Sequence, residues 1–206
     1  MQENRVAFIA ATLAFCAGQA FAQNQVTNAN FDSDLTGWVI LDVATGTTTH
    51  TAMAGSPASP PGAAEAQLTD PGDDGTAQGL AQCVGAPPVT LPWDFGGRAR
   101  VAAVSGSGTQ TLVIVQMFNG AGCTGGASSQ LASPAGTEPG TPGDFTQLTG
   151  SVAADPMPGG LPTLSARVIV QVQTQNDPSS ITAQFDHVYF GPAGTTPVTL
   201  RSFEIE

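Results

Sequence analysis

Two stretches decide the fold: Asn28-Ala29-Asn30-Phe31-Asp32-Ser33-Asp34-Leu35-Thr36-Gly37-Trp38 near the start and Phe185-Asp186-His187-Val188-Tyr189-Phe190 near the end. In the first, Phe31 and Leu35 flank a turn bearing Asp32 and Asp34, Gly37 permits a tight turn into the next element, and Trp38 starts a strand. A large ring beside Gly at a strand start packs inward, so Trp38 reads as a core anchor. The second stretch predicts a strand in which Asp186 shares the parity of Val188 and Phe190. That places its carboxylate on the buried side. A bare charge there is costly, so pairing, hydrogen bonding, an exposed rim or a cation has to offset it.

Working outward, the period is two almost everywhere. Ala64, Ala66 and Leu68 alternate with Glu65 and Gln67, and Val168, Val170 and Val172 alternate with Ile169, Gln171 and Gln173. Such runs are half-buried strands. Leu112 to Phe118 is apolar on both faces and rich in β-branched residues, which predicts a central strand covered on both sides. Further strands are expected around 38–43, 47–52, 78–83, 98–104, 145–153 and 181–190. Breakers separate them at 55–62, 133–143 and 156–162, and these are loops rather than linkers. With 25 Gly and 16 Pro, no helical stripe survives. The expectation is an all-β, jelly-roll β-sandwich of two antiparallel sheets, a single domain spanning 23–195.

Residues 1–22 read as a secretory signal: Arg5 in a polar start, an apolar stretch from Val6 to Ala17, and small residues at Ala20-Phe21-Ala22. The apolar stretch is short for a membrane span, with an uncleaved anchor as the alternative. A secreted protein, extracellular or periplasmic, is therefore expected. Residues 196–206 form a tail in which Val198 and Leu200 alternate before Phe203 and Ile205, suited to an extra edge strand or a partner contact.

All five basic residues are Arg, set against 16 Asp and Glu, for a net charge of −11. Nucleic acid and anionic lipid bind through phosphate neutralisation, so such a surface repels both. Once a signal is removed, only Cys83 and Cys123 remain, and pairing them is the simplest outcome in an oxidising compartment. That bridge, closing 40 residues, contributes about 4 kcal/mol on the loop-entropy argument. Two cysteines with the separated His50 and His187 lack zinc-site spacing.

The opening and closing motifs resemble those of carbohydrate-binding modules of the galactose-binding-like jelly-roll type, which begin Asn-x-x-Phe-Glu-x-x-Leu-x-Gly-Trp and end with an apolar-Asp-Asp-Val strand. Gln82-Cys83-Val84 and Gly120-Ala121-Gly122-Cys123 are similar to segments of a secreted bacterial branch. The resemblance implies one structural calcium ion joining Asp32 to Asp186, its shell completed by carbonyls of the turn at 60–62, because calcium takes several hard oxygens at once. Here Asp32 stands in place of the longer Glu common in the family.

It also implies binding to a polysaccharide or glycan. Sugar rings stack on aromatic planes while their hydroxyls seek amides, carboxylates and Arg. With Trp38 in the core, Trp93 is the best exposed platform, the alternative being that it plugs one end of the sandwich. Arg100, Gln171 and Gln173 are the polar partners on a concave face, or else solvated residues outside a sheet. No catalytic signature is present: Glu138, Asp144 and Asp155 lie in loops without characteristic spacing, and there is no Gly-x-Ser-x-Gly elbow or phosphate loop. A non-enzymatic carbohydrate-binding module is one reading. An extracellular structural or adhesive protein, contacting another surface protein through the same sandwich, is the other.

Overall fold

The computed structural model describes residues 23–41, 45–52, 62–70, 76–87, 90–133, 136–137, 145–175 and 179–195. The expected signal segment and the tail at 196–206 lie outside them. Among the described residues the regular secondary structure is all strand, apart from one turn of 3-10 helix at Pro158–Gly160. No helix there is long and apolar enough to cross a membrane.

The strands are β1 (Val39–Leu41), β2 (Gly46–Thr51), β3 (Ala63–Asp70), β4 (Ala77–Gly85), β5 (Trp93–Ser105), β6 (Thr109–Phe118), β7 (Leu131–Ala132), β8 (Gly136–Thr137), β9 (Thr146–Val152), β10 (Ser165–Thr174) and β11 (Ser179–Pro192). One sheet runs β1-β4-β10-β6-β7, with β8 also pairing β6; the other runs β2-β3-β11-β5-β9. Every pairing is antiparallel. The first is called sheet A below and the second sheet B.

Alternation explains the layering. Leu80 and Val84 of β4, Val113, Val115 and Met117 of β6, and Ala166, Val168, Val170 and Val172 of β10 turn inward from sheet A. They meet Ala64, Ala66 and Leu68 of β3, Phe95 and Ala99 of β5, and Ile181, Ala183 and Phe185 of β11. Phe31 and Trp38 close one end with ring centroids 5.2 Å apart, both buried. Gly37, at φ +88°, makes the turn that aims Trp38 inward. Burying a ring such as Phe31 contributes about 1.5–3 kcal/mol.

The Leu112–Phe118 strand is buried on both faces, as its composition predicts, but β10 holds the centre of sheet A and β6 is bordered by the short β7 and β8. Strand β5 starts at Trp93, five residues before the expected start, running straight through Gly96 and Gly97.

The N-terminal segment ties the sheets together. Past Ala64, strand β3 no longer borders β11, and residues 24–29 take its place: Gln25 N donates to Phe190 O (2.8 Å) and Val188 N donates to Ala29 O (2.9 Å). The Asn24 carboxamide bonds both ways, Nδ2 donating to Val188 O and Oδ1 accepting from Phe190 N. On the other side Gln82 of β4 holds Thr27.

Candidate functional site

The outer face of β10 presents Arg167, Ile169, Gln171 and Gln173, because their neighbours Val168, Val170 and Val172 are committed to the core. Register sets their surroundings. Arg167 lies between Cys83 and Gln116, Ile169 between Ala81 and Ile114, Gln171 between Gly79 and Leu112, and Gln173 between Ala77 and Gln110. Ala81, Leu112, Ile114 and Ile169 form a small buried cluster with Leu41 against it. Around that cluster stand half-buried amides: Gln110, Gln116, Gln171 and Gln173, with Gln110 Nε2 donating to Gln173 Oε1 (3.2 Å).

At the Arg167 end this face carries a groove of about 340 Å³, lined by Val39, Leu41, Ala81, Gly122, Arg167 and the Cys83–Cys123 disulfide. The disulfide pairs the two cysteines that the sequence singles out. Ser165 fixes the loop behind it, its Oγ donating to Gly120 O (2.5 Å) and accepting from Cys123 N (2.9 Å). The Arg167 guanidinium lies 5.2 Å from the centroid of Phe118, held by attraction to the ring face. Among the described residues it has no carboxylate partner, so its fork of N–H donors is uncommitted.

The predicted sugar-binding residues do not form one site. Trp93 is only 6% exposed and stands edge-on to Phe190, with centroids 5.8 Å apart. It plugs an end of the sandwich, and the platform expectation is corrected: its indole is spent on core packing. It still borders a hollow of about 580 Å³ shared with Leu91, Asp155 and Pro162, among others. Arg100 belongs to sheet B, facing away from Gln171 and Gln173. Its Nε donates to Gln184 Oε1 (2.7 Å), Nη2 contacts the same oxygen, and its guanidinium lies 5.1 Å from the Phe145 centroid. Gln184 in turn donates to Glu65 (2.7 Å). Arg100 therefore serves a network on the opposite sheet.

Among the described residues no aromatic ring is exposed; the large exposed apolar side chains are Val39, Ile40, Leu161 and Leu164. Gln110, Gln116 and Arg167, missing from the sequence-based site, were signalled by the same alternation that marked Gln171. Arg167 is two positions before Ile169, on the same face.

Asp186 departs from its predicted parity. Between Asp186 and Tyr189 the pairing with β5 slips by one residue, and His187 takes φ +51°. This bulge puts Phe185, Val188 and Phe190 all in the core and turns Asp186 to the other side, where it is nevertheless fully buried. Its Oδ1 accepts from His187 N (2.7 Å) and its Oδ2 lies 2.9 Å from His187 Nδ1. That second contact is poorly aligned for a hydrogen bond, and Nδ1 has no other partner among the described residues.

Asp32 is exposed. Gly62, the residue before β3, does reach it: a Cβ there would fall 2.1 Å from Phe31 O and 2.9 Å from Asp32 Cα. Phe31 O is already within 2.9 Å of His50 Nε2. Calcium therefore finds a partial fit, with Gly62 beside Asp32 but His187 against the Asp186 carboxylate and His50 on a nearby carbonyl; residues 60 and 61 lie outside the described residues. No three His, Cys, Asp or Glu side chains cluster among the described residues.

Comparison with solved structures gives the architecture its parallel. A structure of carbohydrate-binding modules of promiscuous specificity from the β-sandwich superfamily matches with TM-score 0.54 and 19% identity, covering 81% of this chain and 62% of that one. The fold is that of a carbohydrate-binding-module jelly roll. The enzymatically active domain of bacteriophage CBA120 tailspike protein 4 matches with TM-score 0.54 and 13% identity, covering 82% of this chain and 21% of that one. A xylan-binding domain of family 22 matches with TM-score 0.48 and 13% identity, covering 84% and 97%. At such identities the likeness concerns the fold. No protein-family model and no curated protein matches the jelly-roll chain.

Proposed function

We propose that this jelly roll is a secreted, non-catalytic glycan-binding module that holds its ligand on the outer face of sheet A. The observation that carries this reading is the row of half-buried amides, Gln110, Gln116, Gln171 and Gln173, beside a groove that ends in an uncommitted guanidinium at Arg167. Amides and guanidinium supply the donors and acceptors that sugar hydroxyls need, and the apolar strip of Leu41 and Ala81 suits ring C–H faces. A disulfide supports an oxidising compartment. Against an acid/base role, Asp155 Oδ1 is occupied by Met157 N and Thr163 Oγ1, which makes it a loop fastener.

A glycan array tests the reading, with Gln171→Ala and Gln116→Ala on the binding face and Arg100→Ala on the other sheet as control. Binding lost in the first two and kept in the third is expected. Silence across the array overturns it and favours the second reading, a structural or adhesive protein, which the lack of an exposed aromatic among the described residues supports.

A structural calcium ion at Asp32 and Asp186 belongs to the same proposal. The approach of Gly62 to Phe31 and Asp32 supports it, and the contacts of His187 on Asp186 weigh against it. Melting of the intact protein with calcium and with chelator decides it; an unchanged midpoint removes the ion from the reading.

A further inference from the structure

We infer that Arg167 makes the groove of sheet A selective for a glycan bearing an isolated carboxylate, a uronic acid residue on an otherwise neutral chain; this rests on the glycan reading above. Three arginines lie among the described residues, and they differ in commitment. Arg100 is engaged by Gln184 and Phe145. Arg98 lies on the same sheet B and approaches Gln147 Oε1 at 3.5 Å. Of the three, Arg167 lines the groove, and among the described residues its partner is the Phe118 ring beneath it.

That contact orients the guanidinium. Attraction to the ring face consumes no hydrogen-bond donor, which leaves the N–H fork to take a carboxylate by two parallel hydrogen bonds. A neutral hydroxyl offers one oxygen where a carboxylate offers two in the geometry of the fork, and it brings no opposite charge to the guanidinium. The walls around Arg167 are Val39, Leu41, Ala81, Gly122 and a disulfide, none of them ionisable, so no acid in the groove lining competes for the fork.

The charge of the whole chain sets the ligand's charge density. At −11 the protein repels a polyanion, and each further carboxylate adds repulsion without a second cation in the groove to meet it. Screening over about 8 Å at physiological salt spares one carboxylate seated on Arg167 but not a string of them. A sparsely substituted chain is favoured over a polyuronate.

Paired oligosaccharides provide the experiment: several neutral backbones, each carrying one hexuronic acid, and each again with that carboxyl reduced to the alcohol. Titration calorimetry on the disulfide-bonded protein is expected to give about tenfold tighter binding for the uronic acid form, shrinking as salt is raised. Arg167→Gln should erase the preference, so that the two forms bind alike whatever their common affinity; Arg167→Lys, which retains charge and stem, should keep part of it and controls for folding. Equal binding of both forms by the unaltered protein overturns this inference and leaves the glycan reading standing. Binding to neither form of any backbone overturns both.

Discussion

Gln82 pairs with both backbone groups of Thr27: its Oε1 accepts from Thr27 N at 2.8 Å and its Nε2 donates to Thr27 O at 3.0 Å. One side chain thus does for the N-terminal segment what a neighbouring strand would. The same Nε2 reaches Gly37 O at 3.2 Å, so the amide also braces the turn that delivers Trp38 to the core.

Replacing Gln82 with Leu keeps the volume and strands three backbone groups. With partly buried groups costing about 1–3 kcal/mol each when unpaired, part of it recovered by water, the loss should reach about 2–4 kcal/mol. Urea denaturation reads it. Gln82→Glu, which keeps the acceptor and loses the donor, should fall between.

The Cys83–Cys123 bridge closes 40 residues that include β5 and β6. Its removal by a double Ser substitution should lower stability by up to about 4 kcal/mol. A loss near zero would mean that the enclosed strands are already constrained in the unfolded chain. Since the bridge also walls the groove, glycan affinity should fall together with it.

Gly150 sits under a ring. A Cβ there would lie 2.3 Å from Phe95 Cζ, and Phe95 is its cross-strand partner in the core. Gly150→Val should cost about 1–3 kcal/mol or more through overpacking, seen as a lowered melting midpoint. Phe95→Leu in the same chain should recover part of that cost, a coupling that a double-mutant cycle detects.

Two groups give opposite signs in pH. The Thr36 N–H bonded to Asp34 holds its carboxyl below the ordinary carboxylate range, helped by Asn28. A folded value below the unfolded one adds stability that is present above about pH 4 and lost as pH falls through the lowered value. Burial pushes the Tyr189 phenol above its ordinary range, which adds stability present below about pH 10 and lost as pH rises through the raised value. Asp34→Asn should flatten the acid limb, and Tyr189→Phe the alkaline one, in melting profiles taken across pH.

Much of the sandwich was legible because alternation reports which face is buried. Val168, Val170 and Val172 fixed the inner face of β10, and through it the outward set that ends in Arg167. The site was less legible, since facing direction does not say which sheet a residue joins. Arg100 and Gln171 look alike in sequence, yet long-range pairing sends them to opposite sides. Trp93 reads equally as platform or end plug because Pro92 and Gly96-Gly97 look like a loop, while pairing to both β9 and β11 makes Trp93 to Gly97 strand. Asp186 was misplaced because a bulge leaves no mark in composition; the shift arises from one residue adopting a left-handed backbone.

That single inserted residue has a genetic corollary. Loss of the His187 codon would remove the extra residue and leave plain alternation from Phe185 onward, with Val188 and Phe190 still facing the core and Tyr189 still on the opposite face. A deletion elsewhere in the strand would exchange interior for exterior side chains, so this is the one point of the closing strand that tolerates a lost codon, and any relative lacking the bulge but aligned here without a gap would have its interior and exterior positions transposed.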